Sequence, residues 1–226
     1  MKLKKITAAV IISSLALAGT VSAAEFADIN GHWAEKTINK LADAGVVHGV
    51  SDTEFNPEGT VTRAEFLKMA LAAGEIEEVQ YRKDECLDVT ENDWFGSCVQ
   101  SALDKGLIPK NMISDYSVKI VNDESGTKAV YSGNFSGNTP IKREEMAYIA
   151  QAAYQYSLGE DALEKLEHPV DMGFTDVNRI SAWAFDGVRH AYANDFISGM
   201  EDGSFRPQDT ATRAQAATII NNILIK

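Results

Sequence analysis

The chain has 226 residues, of which 45% are hydrophobic and 24% charged, and its formal net charge is −12 at pH 7. This composition is typical of a folded chain, and the length allows one or two domains or a short repeat array. The acidic balance argues against a nucleic-acid partner, because phosphate binding needs a basic face. An anionic ligand would have to be held by a few local cations against the repulsion of the whole surface.

The first 23 residues have the pattern of a secretory signal peptide. Lys2, Lys4 and Lys5 precede an apolar run over residues 6–19, and Val21-Ser22-Ala23 is a small-residue cleavage site. The alternative is an uncleaved membrane anchor, but the apolar run is short for a bilayer span. We therefore expect residues 1–23 to be removed and the exported remainder to contain no transmembrane segment.

The rest of the chain contains three internal repeats. Each of Trp33, Trp94 and Trp183 is followed by apolar residues 5, 8, 13 and 14 positions later. In each copy a phenylalanine also precedes an arginine by eight positions; the pairs are Phe55 with Arg63, Phe135 with Arg143, and Phe205 with Arg213. We place the repeats at 24–73, 86–158 and 174–226, with polar linkers at 74–85 and 159–171.

Each repeat predicts two short helices joined by a loop. Phe66, Met69, Ala70 and Ala73 have the i, i+3, i+4, i+7 spacing of a helix that buries one face. Helices this short cannot bury that face alone, so we expect a mainly α fold in which the three helix–loop–helix repeats form a pseudo-three-fold bundle. The middle repeat has 19 extra residues within 111–130, where two alternating runs around a turn signal predict a β-hairpin.

Two of the second helices begin with a capping box, in which a threonine is followed three residues later by Glu or Gln. The pairs are Thr62 with Glu65 and Thr212 with Gln215. Arg63 and Arg213 would then occupy the first helical position. The unpaired backbone N–H groups and the helix dipole expected there, together with a guanidinium group, would suit a carboxylate ligand.

The middle repeat differs at this position. Lys142 replaces the capping threonine, and Thr139 followed by Pro140 is a favourable helix start. We therefore expect Thr139 to be the cap, the helix to begin about one turn early, and Arg143 to lie inside it.

The positions of the cysteines and histidines indicate whether the chain could contain a disulfide, a metal site or a catalytic site. Cys86 and Cys98 could be two buried thiols or a disulfide, and export together with an even count favours the disulfide. The histidines lack the spacing of metal ligands or of a nucleophile–base pair, and no loop has the full calcium-ligand pattern. These histidines are His32, His48, His168 and His190. We expect no enzymatic activity, no cofactor and no metal site.

The combined motifs F-x-D-[IV], W-A, G-V-V-x-G, F-x-P and [VA]-T-R-A-[EQ] resemble the S-layer homology (SLH) domain family. The resemblance covers essentially all of the mature chain, and the third repeat matches best, through residues 199–207 and 212–215. It implies a three-fold pseudo-symmetric helical bundle and noncovalent attachment of an exported protein to the cell surface, cell wall or S-layer. It also implies an anionic, pyruvylated secondary cell-wall polysaccharide as the partner, bound in grooves between repeats.

The candidate glycan-binding residues are those of the T-R-A-E motif, together with aromatic and small residues suited to sugars. They are Arg63, Arg143, Arg213, Glu65, Gln215, Trp33, Trp183, Gly49 and Gly199. An alternative makes the arginines ion-pair with Asp28, Asp88 or Asp176 of an adjoining repeat, and makes the tryptophans core residues. Arg143 is the weakest of the three arginines as a site, because its repeat departs from the motif.

The sequence also allows a second function. The chain could be a structural S-layer or envelope protein that acts by self-assembly or by docking another protein, with little or no glycan binding. The predicted hairpin would be the docking element in that case.

Overall fold

The structure is a computed structural model that describes residues 26–82, 86–123, 126–159 and 170–225. The predicted signal peptide lies outside these residues, as do parts of both predicted linkers. The helices and strands are α1 (Glu35–Asp43), α2 (Arg63–Ala73), α3 (Gly96–Asp104), β1 (Ser114–Asp123), β2 (Gly126–Asn134), α4 (Arg143–Ser157), α5 (Phe185–Ala193) and α6 (Arg213–Leu224). No helix within the described ranges is both long and apolar enough to cross a membrane.

We refer to residues 26–73, 86–158 and 174–225 as units 1, 2 and 3. The second helices of the units, α2, α4 and α6, contact one another. Each first helix packs on the second helix of a different unit: α1 on α6, α3 on α2, and α5 on α4. The apolar face of each first helix is therefore covered by another unit. A single helix pair is too small to bury this face by itself.

The first helices end in the same way, which explains part of the repeated pattern. The residue beyond each cap has a positive φ: 69° at Gly45, 71° at Gly106 and 60° at Asp195. After α1, Gly45 N donates to Ala42 O and Val46 N donates to Leu41 O, both at 2.9 Å. This is a Schellman motif, in which glycine adopts the left-handed conformation without steric cost.

The aspartate near the start of each unit, two residues after Phe26, Cys86 or Phe174, binds the loop before the second helix of its own unit. The carboxylate of Asp28 accepts from Phe55 N at 2.9 Å and from Asn56 N at 2.6 Å. Asp88 binds Phe135 N and Ser136 N, and Asp176 binds Phe205 N and Arg206 N, at 2.6–2.9 Å. Among the described residues these aspartates form no ion pair with the arginines of adjoining repeats, so that alternative is wrong.

Three extended segments before the second helices are joined by a closed ring of backbone hydrogen bonds. Val61 N donates to Ala211 O, Ala211 N to Ile141 O, and Ile141 N to Val61 O, at 3.0–3.2 Å. All three side chains are fully buried. Each unit thus supplies one segment to a shared centre, and the second helices begin directly after it.

This ring overturns the expected start of the middle helix. α4 begins at Arg143 with Lys142 before it, so Arg143 is the first helical residue and Thr139 is not the cap. Pro140 forms a bridge with Thr62, and both backbone groups of Ile141 bond to other units. Residues 139–142 are therefore held extended, and Thr139 Oγ1 donates to Ser136 O at 2.8 Å.

The extra residues of the middle unit form an antiparallel hairpin, as their alternation predicts. β1 and β2 pair from Ser117 opposite Ser132 to Asp123 opposite Gly126, with an irregularity between Ser114 and Ser117. The hairpin extends to Asn134, beyond the predicted limit of residue 130. An isolated bridge between Cys86 and Gly133 joins its base to the start of unit 2.

The expected disulfide is absent, because Cys86 and Cys98 are both buried and are not bonded to each other. Cys86 lies in the bridge to Gly133, whereas Cys98 lies on α3 near Lys68 and Glu78. Burial, assisted by the nearby Glu78 carboxylate, raises the pKa of the Cys98 thiol to about 12. The two thiols therefore serve as small core residues.

Candidate functional site

The second helices begin with side-chain caps where the sequence predicts them. Thr62 accepts from Glu65 N at 3.2 Å while Glu65 accepts from Thr62 N at 2.8 Å. Thr212 and Gln215 form the same reciprocal pair at 3.2 and 3.3 Å. In the middle unit only the return bond from Lys142 N to Glu145 forms, since a lysine ammonium group cannot accept a hydrogen bond.

The first two backbone amides of each second helix are not available to a ligand, contrary to the sequence-based expectation. The first two amides of each helix donate to carbonyl oxygens of another unit. For α2, Arg63 N donates to Thr139 O and Ala64 N to Gly137 O, both at 2.9 Å. The corresponding acceptors are Asp209 and Pro207 for α4, and Gly59 and Pro57 for α6. Any anion contact at these positions must therefore come from the arginine side chains.

Arg63 of unit 1 is buried against unit 2. Its Nε donates to Phe135 O at 2.9 Å, its Nη2 donates to Met112 O at 2.7 Å, and its Nη1 forms an ion pair with Glu145. The guanidinium carbon lies 4.9 Å from the centre of the Phe135 ring. Both charged side chains are more than nine-tenths buried, so Arg63 is neutralised by a close carboxylate.

Arg213 of unit 3 makes the equivalent contacts with unit 1. Nε donates to Phe55 O at 2.8 Å and Nη2 donates to His48 O at 2.7 Å. The guanidinium lies over the Phe55 ring, and Nη1 is 3.5 Å from a carboxylate oxygen of Glu65. Burial lowers the pKa of the Arg213 guanidinium, but arginine remains protonated at neutral pH.

Arg143 of unit 2 contacts unit 3 through the same three nitrogens, but its outer bonds are longer. Nε donates to Phe205 O at 2.8 Å, whereas Nη1 to Gln215 Oε1 and Nη2 to Ser198 O are both 3.4 Å. Normal N–H···O bonds lie between about 2.7 and 3.2 Å. The partner at Nη1 is a neutral amide, so this guanidinium is not neutralised by it.

Among the residues that the structure describes, two cavities lie beside these arginines. The larger, here the Arg143 cavity, has a volume of about 690 Å³ and is lined by residues that include Trp33, Arg143, Gly199, Phe205 and Gln215. The smaller, the Arg63 cavity, has about 300 Å³ and is lined by residues that include Arg63, Met112, Lys142, Glu145 and Trp183. The predicted site residues are therefore not gathered in a single cavity.

The tryptophans differ in exposure. Trp33 is 64% exposed at the Arg143 cavity and Trp94 is 56% exposed, so the alternative that they are core residues is wrong for both. Trp183 is half-buried, with its ring 5.6 Å from that of Tyr148. An exposed indole beside a cavity offers the flat apolar face that a sugar ring can contact.

The positions of Gly49 and Gly199 have little space for a side chain, because each glycine packs tightly within its own unit. A Cβ on Gly49 would lie 2.5 Å from the Phe26 ring and 2.6 Å from Glu54 O. A Cβ on Gly199 would lie 3.0 Å from the Phe174 ring, although Gly199 also lines the Arg143 cavity. Packing therefore explains both glycines.

Sequence reasoning missed the recurring phenylalanines as part of the site. Phe55, Phe135 and Phe205 each lie under an arginine of another unit, with 4.7–5.0 Å between guanidinium carbon and ring centre. Their carbonyl oxygens accept the Nε hydrogen of the same arginine. The sequence showed that these phenylalanines recur eight residues before each arginine, but each arginine contacts the phenylalanine of another unit, which the spacing within a unit does not reveal.

Comparison with known proteins agrees with the repeated motifs. The family model described as "S-layer homology domain" matches residues 25–67 and 173–217. The chain is 35% identical over 201 residues to an exoglucanase, XynX, of Acetivibrio thermocellus, and 34% identical over 201 residues to an amylopullulanase of Thermoanaerobacterium thermosulfurigenes. It is 25% identical over 226 residues to the surface-layer 125 kDa protein of Lysinibacillus sphaericus.

These alignments cover most of this chain but little of each relative. They include 89%, 89% and 96% of the chain, and only 16%, 10% and 16% of the respective relatives. The matched part is therefore a small segment that proteins with different names have in common. Residues 25–67 and 173–217 of this chain are similar to the S-layer homology domain family.

Proposed function

We propose that this chain attaches to the cell envelope by binding an anionic cell-wall polysaccharide in the Arg143 cavity. The observation that carries the proposal is the Arg143 guanidinium, which faces a neutral amide and lines a cavity of about 690 Å³. In a chain with a net charge of −12, a local cation of this kind is what an anionic ligand requires.

The proposal includes a pseudo-three-fold bundle of three S-layer homology repeats. The family model matches units 1 and 3, and unit 2 has the same contacts at its aspartate, its arginine and the start of its second helix. The closed ring through Val61, Ile141 and Ala211 supports equivalent roles for the three units. The ligand would lie where units meet.

The chemistry of the Arg143 cavity fits a sugar that carries a carboxylate, such as a pyruvyl ketal. A guanidinium group binds carboxylates through charge-assisted hydrogen bonds. Trp33 supplies an exposed aromatic face, and the cavity volume lies within the range of small-molecule sites. Bonds to described residues use one N–H on each Arg143 nitrogen, so further N–H groups can bind a ligand.

The proposed role is binding and not catalysis, at the cell surface. S-layer homology domains are binding modules, and relatives include one named "Cell surface glycoprotein 1" and one named "Cellulosome-anchoring protein", both of Acetivibrio thermocellus. The relatives named as enzymes match over at most 18% of their own length.

The test is a sedimentation assay with isolated cell walls, using the chain without residues 1–23. The chain should sediment with intact walls and stay in solution with walls whose polysaccharide has been removed chemically. Equal binding to intact and stripped walls would refute polysaccharide attachment. Arg143→Gln should weaken wall binding, and its melting temperature shows whether the fold is retained.

A second candidate function is protein docking through the hairpin of unit 2. Ile120 at its centre is 65% exposed, and Leu87 beside its base is 67% exposed. If the chain self-assembles through this element, light scattering should detect oligomers whose mass falls when residues 115–133 are replaced by a short glycine–serine turn. A monomer at every concentration would exclude self-assembly through the hairpin.

A further inference from the structure

We infer that Gln215 makes the Arg143 cavity the one anion-binding cavity among the three arginine positions, so that each chain binds a single carboxylate. This inference rests on the proposed function and identifies the residue that selects the cavity. It follows from comparing the third helical residue after each cap, which faces the arginine of another unit.

The three arginines face different partners at this position. Nη1 of Arg63 forms an ion pair with buried Glu145, and Nη1 of Arg213 lies 3.5 Å from Glu65. Nη1 of Arg143 lies 3.4 Å from the amide oxygen of Gln215. The phenylalanine carbonyl at Nε and the ring beneath each guanidinium are equivalent in the three cases. Nη2 donates at 2.7 Å in Arg63 and Arg213 but at 3.4 Å in Arg143, so Arg143 differs both in the charge of its partner at Nη1 and in its weaker bond at Nη2.

A carboxylate partner would oppose ligand binding in two ways. At Arg63 the carboxylate of Glu145 occupies a guanidinium N–H group with a charge-assisted bond. At both Arg63 and Arg213 the carboxylate also repels a second carboxylate, in a partly buried place where screening is weak. The amide of Gln215 does neither. A ligand carboxylate can therefore replace the weak 3.4 Å contacts of Arg143 without displacing an ion pair.

Gln215 keeps the structural role of its counterparts while lacking their charge. Its side chain accepts from Thr212 N at 3.3 Å, as Glu65 does from Thr62 N and Glu145 from Lys142 N. A glutamate at 215 would complete the same cap. Gln215→Glu should therefore fold normally and change only the charge that faces Arg143.

The experiment measures binding of wall polysaccharide, released chemically from walls, by isothermal titration calorimetry. The unmodified chain should bind with one site per chain, and Gln215→Glu should weaken binding by about 10- to 100-fold, the loss of one charge-assisted contact. The matched control is Asn221→Asp, which adds one negative charge on the same helix. Asn221 accepts from Lys40 Nζ and is not among the residues that line the Arg143 cavity, so affinity should change less than two-fold.

The outcomes separate this inference from the proposed function. No binding by the unmodified chain would overturn both. Binding that Gln215→Glu leaves unchanged, or that Asn221→Asp weakens equally, would overturn the role of Gln215 and leave polysaccharide binding standing. Two or three sites per chain would overturn the single-cavity assignment. Circular dichroism and melting temperature of each variant establish that the compared proteins are folded.

Discussion

Arg63 and Arg143 begin equivalent helices and bind equivalent carbonyl oxygens, but a carboxylate faces Arg63 and an amide faces Arg143. The cavities differ accordingly. The Arg63 cavity has about 300 Å³ and includes Met112, whose carbonyl oxygen accepts from Arg63 close to the hairpin. The Arg143 cavity has about 690 Å³ and an exposed Trp33 at its edge.

The comparison separates two roles of one arginine. The bond from Nε to a phenylalanine carbonyl and the ring beneath the guanidinium join neighbouring units in all three cases. The outer nitrogens face a carboxylate in Arg63 and a neutral amide in Arg143. The proposed difference in ligand binding between copies follows from this difference in partner.

The largest effect on stability is expected at the neutralised arginine. Glu145→Gln leaves the buried Arg63 charge without a carboxylate and should lower the free energy of unfolding by about 3–5 kcal/mol. Gln215→Ala loses only a 3.4 Å contact and one side of a cap, about 1 kcal/mol. Urea unfolding measures both. Equal losses would contradict the different environments of the two arginines.

Loss of the aspartate should destabilise unit 2 and unit 3 equally, because Asp88 and Asp176 each bind two backbone amides. Asp88→Ala and Asp176→Ala should each lower the free energy of unfolding by about 2 kcal/mol. Urea unfolding of the two variants checks this. A loss confined to one of them would show that the units are not built alike.

Substitution of the two threonines near the helix starts should have smaller effects on stability, and Thr62 of unit 1 should matter more than Thr139 of unit 2. Thr62→Ala removes a cap and should cost about 1 kcal/mol. Thr139→Ala removes only a hydroxyl bond to Ser136 O and should cost less than about 0.5 kcal/mol, since surface substitutions rarely exceed this. A larger loss at Thr139, measured by thermal unfolding, would restore it as the cap of α4.

The smallest predicted effect is a pH dependence specific to unit 3. Burial, together with the nearby Arg189 charge, lowers the pKa of His190, while Asp186 opposes the shift. The unfolded chain then binds a proton more readily, so His190 reduces stability as the pH falls through about 6.5. Lys40 and Ser101 occupy the equivalent positions of α1 and α3.

The corresponding measurement is urea unfolding at pH 7.5 and pH 5.5. The unmodified chain should lose more stability between these values than His190→Gln does. An identical loss in both proteins would contradict the lowered pKa.

Local signals in the sequence predicted local structure well. Thr62 with Glu65 and Thr212 with Gln215 form the caps that their spacing indicates, and the alternating residues of unit 2 form a hairpin. These features depend on residues within a few positions of one another, so the sequence contains their cause.

Features that depend on other units were predicted wrongly. Thr139-Pro140 is a good helix start in isolation, but Ile141 bonds to Val61 and Ala211, which lie about 70 to 80 positions away. The amides expected to be free donate to carbonyl oxygens of another unit for the same reason. The disulfide predicted from the even number of cysteines was also wrong, because that number gives no information on where the two buried thiols lie.

The most direct test of the central claim is the crystal structure of the chain with a carboxylated wall oligosaccharide. One oligosaccharide should bind per chain, with its carboxylate within hydrogen-bond distance of the Arg143 guanidinium and a sugar ring against Trp33. A carboxylate bound instead at Arg63, with the Arg143 cavity unoccupied, would contradict this claim.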